Sequence, residues 1–148
     1  MALDRDKPEQ YPPNIQAILK RPAPGAVVLG QQVLEVDTKA GRVRVAYDTT
    51  EQLANRYGAI HGGMTAAMLD DVISLAAGLT IEWGQITPTL EMKVSYIAQG
   101  KPGTRIVGEA RTVRRGGTVI FLEADLKDEE NKLIATASST VMIAVLKR

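Results

Sequence analysis

Residues 62 to 84 read GGMTAAMLDDVISLAAGLTIEWG, a nearly apolar run set between segments that alternate apolar and polar. Its apolar residues, Met64, Ala67, Met68, Val72, Leu75, Ala76 and Leu79, recur every three or four positions, which predicts one helix of about five turns ending near Gly84. A helix that is apolar almost all round has to be covered, so the rest of the chain must wrap it. Before it lie AVVLGQQVLEVD and GRVRVAYD, joined at Lys39-Ala40-Gly41, and Val43, Val45 and Tyr47 alternate with Arg42, Arg44 and Ala46, the pattern of a strand pair. After it come QITPTLEMKVSYI, TRIVGEARTVRR, TVIFLEADLKD and KLIATASSTVMIAVLK, with turns at Arg115-Gly116-Gly117 and DEENK. Short turns impose antiparallel pairing. The expected architecture is α+β: a curved six-stranded antiparallel sheet packed on one long central helix. Such a sheet leaves edge strands open, and pairing with a second copy would close one, so a homo-oligomer is expected.

The remaining sequence narrows the class. Residues 1–22 read as an N-terminal arm, disordered or loosely docked over residues 1–13, where charges and prolines offer little to bury, and followed by a short helix capped by Asn14. Residues 23–148 form the single folded domain. Eighteen basic and seventeen acidic residues give a net charge of +1 with no basic block, which argues against nucleic acid as a partner. No stretch reaches the roughly 18 apolar residues of a membrane span, so no membrane partner is expected. The absence of cysteine excludes thiol chemistry and fits a cytoplasmic location.

Chemistry concentrates in NRYGAIHGGMTAAMLDD, residues 55–71. His61-Gly62-Gly63 stands where loop becomes helix, and glycines there either permit a tight turn or leave N–H groups open at the positive end of the helix dipole. Asp70 lies nearly two turns past Gly63 on the same face, whereas Asp71 points about 100° away. A carboxylate amid Met68, Leu69, Val72 and Ile73 needs a partner, an interface or a wet cleft. From Gly62 to Asp70 the helix rises about 12 Å, too far for both to act on one carbon within one chain. Two copies with antiparallel central helices would bring each Asp70 to the other's Gly62, giving two equal sites. The lone His61 has no cluster of ligand spacing around it, so no metal is expected.

Asn55, His61-Gly62-Gly63 and Asp70 on a long apolar helix resemble the hotdog-fold acyl-CoA thioesterases of the PaaI-like, phenylacetate-degradation type, over residues 27 to 145 approximately. The resemblance implies hydrolysis of an acyl-CoA thioester at a site shared between subunits, by a dimer or a dimer of dimers and without a cofactor. It makes Asp70 the general base or nucleophile, Gly62 the backbone donor to the thioester carbonyl with Gly63 in support, and Asn55 a polar group that holds that carbonyl or the water. His61 becomes a residue near the thioester, and Thr89 the hydroxyl that helps Asp70 orient water. Alternation along the following strand sets Thr89 on the polar face, away from Leu90 and Met92, although Pro88 disturbs the strand start. Asp71 is no requirement of the family and is expected at an interface. Arg114 and Arg115 are the preferred receivers of coenzyme A phosphates, ahead of Lys101 and Arg111, and Trp83 is a candidate wall of the acyl pocket. Two other readings remain: a hotdog enoyl-CoA hydratase or dehydratase, and a non-catalytic acyl-CoA-binding oligomer.

Overall fold

The computed structural model describes Leu3 and residues 7–145. The apolar run forms α3 (Gly62–Gly78), whose Met68, Leu69, Val72, Ile73, Ala76 and Ala77 are completely buried. Each large aliphatic side chain buried this way contributes roughly 1.5–3 kcal/mol of transfer free energy. The cover is a six-stranded sheet of β1 (Gln31–Asp37), β2 (Arg42–Asp48), β4 (Thr89–Tyr96), β5 (Arg105–Arg115), β6 (Val119–Lys127) and β7 (Leu133–Met142). They lie in the order β1-β2-β5-β6-β7-β4, each pair antiparallel, as the turn lengths require. Val43, Val45 and Tyr47 of β2, Leu122 and Leu126 of β6 and Val141 of β7 face the helix as one core. The sheet edges are β1 and β4.

Several boundaries differ from the sequence expectation, each for a local reason. The segment expected as strand from residue 26 begins instead as a short helix, α2 (Pro24–Val28), with proline in its first turn, where the missing N–H costs nothing. Gly30 then turns the chain into β1 with φ of 70°; a Cβ there would meet the Asp48 carbonyl oxygen at 2.2 Å. The long segment after the helix splits into β3 (Gln85–Ile86) and β4 around Pro88, and the C-terminal segment splits at Ile143 into β7 and β8 (Ala144–Val145). Strands β3 and β8 pair as a separate two-stranded sheet. Proline cannot donate to a ladder, and the Pro88 carbonyl instead accepts from Met142 N–H at 2.9 Å.

The helix ends at Gly78 rather than near Gly84, and Asn14 of the N-terminal segment meets it there. Asn14 is not a cap of its own helix, α1 (Pro13–Lys20), which starts on Pro13 after Pro12. Its side-chain amide reaches across to α3 and donates to the carbonyls of Gly78 and Ile81, both at 3.2 Å. These bonds satisfy carbonyls that a helix terminus leaves without partners. Tyr11 and Ile15 are buried in the same core, so two apolar side chains dock a polar segment. Replacing Asn14→Ala should lower the unfolding free energy by about 1–2 kcal/mol, read from the denaturant midpoint, because two buried-end carbonyls lose their donor.

Candidate active site

The turn from residue 55 to residue 63 is held by its own polar groups. Asn55 Oδ1 accepts from the N–H groups of Tyr57 (2.9 Å) and Ala59 (3.2 Å), while Asn55 N–H donates to the Ala59 carbonyl at 2.7 Å. The side-chain nitrogen of Asn55 makes no hydrogen bond among the described residues. His61 is the N-cap of α3, and its Nδ1 accepts from Gly63 N–H at 2.9 Å, which assigns the ring proton of the neutral form to Nε2. The N–H groups of Met64 and Thr65 go to the His61 carbonyl. Gly63 N–H is therefore committed to the cap. Gly62 N–H alone in this first turn has no acceptor among the described residues.

Gly62 opens on a cleft of about 250 Å³, lined among others by Asn55, Ile60, Thr65, Tyr96 and Ile97. Tyr96 was not singled out by the sequence. Its ring lies 3.5 Å from where a Gly62 Cβ would sit, and its hydroxyl donates to the Gly62 carbonyl at 3.1 Å. No local pattern marks it, because it reaches the helix only through the pairing of β4 with β7.

Asp70 is not among the walls of that cleft. It lies about 12 Å along the axis from Gly62, on the stripe of Gly63 and Ala66 that the sheet leaves uncovered. Its Oδ1 accepts from Thr89 Oγ1 at 2.8 Å, and its Oδ2 has no partner among the described residues. Thr89 reaches Asp70 because β4 carries a bulge. The register slips between Thr89 and Glu91, so the extra residue Leu90 turns outward, 55% exposed, and Thr89 comes opposite buried Val141 on the helix-facing side. Simple alternation had set Thr89 on the other face.

Asp71 faces the opposite way, into the protein. It accepts from Tyr47 Oη at 2.8 Å and from Gln31 Nε2 at 2.6 Å, within its own chain rather than at an interface. Burial pushes its pKa above the usual carboxylate value, against the two hydrogen bonds, and the neighbouring Asp70 pushes the same way. Burial, then Asp71, raises the Tyr47 phenol well above its ordinary range. The arginines stand apart from Gly62. Arg115 Nε donates to the Thr80 carbonyl at 3.3 Å, just past the far end of α3, and Arg114 precedes it on β5. Arg111 is ion-paired with Glu123, Lys101 is exposed, and Trp83 is 64% exposed. No group of three His, Cys, Asp or Glu among the described residues could hold a metal ion. No helix among them is long and apolar enough to cross a membrane.

With this geometry in hand, the comparisons decide the family. A family model described as the thioesterase superfamily matches residues 57–135, which include the His61 turn, α3 and the strands from β4 to the start of β7. The chain belongs to the thioesterase superfamily. Among the relatives of this thioesterase, human acyl-coenzyme A thioesterase 13 is 32% identical over 114 residues, 76% of this chain and 80% of that one. A phenylacetic acid degradation-related protein from Ralstonia eutropha is 35% identical, covering 83% of this chain and 92% of its own, with a TM-score of 0.78. The PaaI protein of E. coli, at 18% identity, shares the fold over 95% of both chains with a TM-score of 0.80. The protein is thus a PaaI-like hotdog thioesterase, a thioester hydrolase whose helix-on-sheet architecture is the one its sequence predicts.

The raised Asp71 pKa has a sign that stability can read. Ionising a carboxyl whose pKa is raised on folding costs the folded state, and the cost is absent where both states are protonated. It grows as pH rises from the ordinary value of 3.8 through the folded value. Asp71→Asn does not titrate, so its unfolding midpoint should gain on that of the native chain across this window in parallel melts. A difference that shrinks with rising pH contradicts the assignment.

Proposed function

We propose that the protein hydrolyses an acyl-CoA thioester to the free acid and coenzyme A at two equal sites, each completed by two subunits. The observation that carries this reading is a pair of groups on one helix without a partner among the described residues: the Oδ2 of Asp70, whose Oδ1 Thr89 holds, and the N–H of Gly62. The α3 stripe of Gly63, Ala66 and Asp70 is small enough for two helices to approach closely, and β4 beside it is an open edge. An antiparallel twofold centred near Ala66 joins Asp70 of one copy to Gly62 of the other.

At that junction Asp70 takes a proton from water as the water oxygen adds to the thioester carbon. The carbonyl oxygen, now an oxyanion, is held by Gly62 N–H at the positive end of α3, with the Asn55 amide beside it. The C–S bond then breaks as the oxyanion collapses to the acid, and the departing sulfur takes the proton that Asp70 holds, leaving as the coenzyme A thiol and restoring the carboxylate. His61 supports the donor as cap of the helix, and Gly63 through that cap rather than with its own N–H. Thr89 holds Asp70 in place. The same twofold carries the second copy's end of α3, with its Arg114 and Arg115 close by, about 12 Å beyond Gly62, toward the region where the phosphates of an extended pantetheine arm would lie.

Free-thiol release from short, long and aryl acyl-CoA thioesters tests the reading directly. Asp70→Asn should reduce kcat by about 10²- to 10⁴-fold with the oligomeric state intact. Gly62→Pro isolates the donor: Gly62 is the first helical residue, where proline is well tolerated, and the extended His61 (φ −59°, ψ 135°) suits a residue that precedes proline. It should fold and lose about 10²- to 10³-fold in kcat. Full activity in Asp70→Asn, or conversion of an enoyl-CoA without thiol release, refutes the proposal.

A further inference from the structure

A second carboxylate stands beside the proposed base, and hydrolysis has no use for it. Asp70 and Asp71 are consecutive on α3, so their side chains diverge by about 100°. Asp70 is held by Thr89 of β4, one edge of the sheet, and Asp71 by Gln31 of β1, the other edge, together with Tyr47 of β2. One turn of helix is thereby tied to both halves of the sheet. The Tyr47 hydroxyl also lies 3.0 Å from the Met68 carbonyl, an alternative acceptor for its single proton in the same turn. Its ring is fully buried and fits because residue 108 is glycine: a Cβ there would come within 3.2 Å of Tyr47 Cε2 and 3.0 Å of Leu126 Cδ2.

Stability alone does not account for Asp71. The adjoining residues Leu69, Val72 and Ile73 are fully buried aliphatics. The donors to Asp71, Gln31 and Tyr47, are neutral, and among the described residues the charged group that bears on it is the like-charged Asp70. Replacing the whole unit by aliphatic side chains of similar size would avoid the desolvation cost, and such replacements are often neutral or stabilising, whereas removing Asp71 alone leaves the Gln31 amide and the Tyr47 hydroxyl without that acceptor. What an aliphatic cannot supply is a directional bond that fixes the angle of the helix about its axis. A rotation of about 10° moves a carboxylate roughly 6 Å from that axis through about 1 Å. Misplacement of that size can cost about 10²-fold in rate.

We infer that Asp71, Tyr47 and Gln31 form a positioning unit that sets the rotation of α3 and so holds Asp70 against Thr89 and toward the reacting carbon. The inference rests on the role proposed for Asp70.

Its test measures kcat, KM and melting temperature for Asp71→Leu, Tyr47→Phe, the double variant, Asp71→Asn and Asp70→Asn, using acyl-CoA hydrolysis. Asp71→Leu, which takes the acceptor from Gln31 and Tyr47, should melt somewhat below the native chain and, once folded, lose about 10- to 100-fold in kcat with little change in KM. Tyr47→Phe should lose activity in the same way, and the double variant should be no worse than Asp71→Leu, as for groups acting as one unit. Asp71→Asn, which keeps an oxygen acceptor, should recover most of the loss. A native kcat in Asp71→Leu overturns the inference, and if that variant fails to fold, a native kcat in Tyr47→Phe does so. Activity in Asp70→Asn removes the role of Asp70 and the positioning with it. An inactive Asp70→Asn beside a fully active Asp71→Leu removes the positioning alone.

Discussion

The structure depends on the burial of a single helix that is apolar almost all round. One sheet face covers part of such a helix, and α1 with Tyr11 and Ile15 covers its far end. What the sheet leaves open is a stripe of glycine, alanine and Asp70. The residues least able to bury area are thus on the uncovered side, together with the carboxylate that a dry core would not tolerate. The same constraint that dictates the fold delivers the proposed chemistry to an open surface.

The two ends of that surface are prepared differently. At the N-terminus of α3, His61 takes up one N–H, its backbone carbonyl two more, and Gly62 is the donor left without an acceptor among the described residues, at the positive end of the dipole. Two turns on, neighbouring carboxylates receive contrasting surroundings: Asp70 a single hydroxyl and open space, Asp71 burial and two donors. Such divergence within an adjacent pair is what separates the proposed base from a structural carboxylate.

Most of the fold was legible because its cues are local and repeated. The period of α3 and the alternation in β2, with turns at Lys39-Ala40-Gly41 and Asn131, are all visible along the chain; Gly41 and Asn131 adopt φ of 58° and 63°. The His61-Gly62-Gly63 turn and Asp70 were legible for the same reason. What was hidden comes from distant pairings. Asn14 has the composition of an N-cap but spends its amide 64 residues away on Gly78. Thr89 changes face through one bulge, and a bulge leaves no mark in the alternation of Leu90 and Met92. Asp71 looked like an interface residue because nothing near it in sequence reveals Tyr47 and Gln31, while Tyr96 is brought to Gly62 by sheet pairing alone.

In the proposed dimer each site takes Asp70 from one copy and Gly62 from the other. Unfolding and refolding Asp70→Asn together with Gly62→Pro, each inactive alone, tests this most directly. In a mixed dimer one site then carries both defects and the other carries none, so thiol release from acyl-CoA should reappear in the mixture and grow with the mixed fraction. If every site were built from a single chain, each would keep one defect. A mixture that forms mixed oligomers yet stays as inactive as its parents would contradict the shared site.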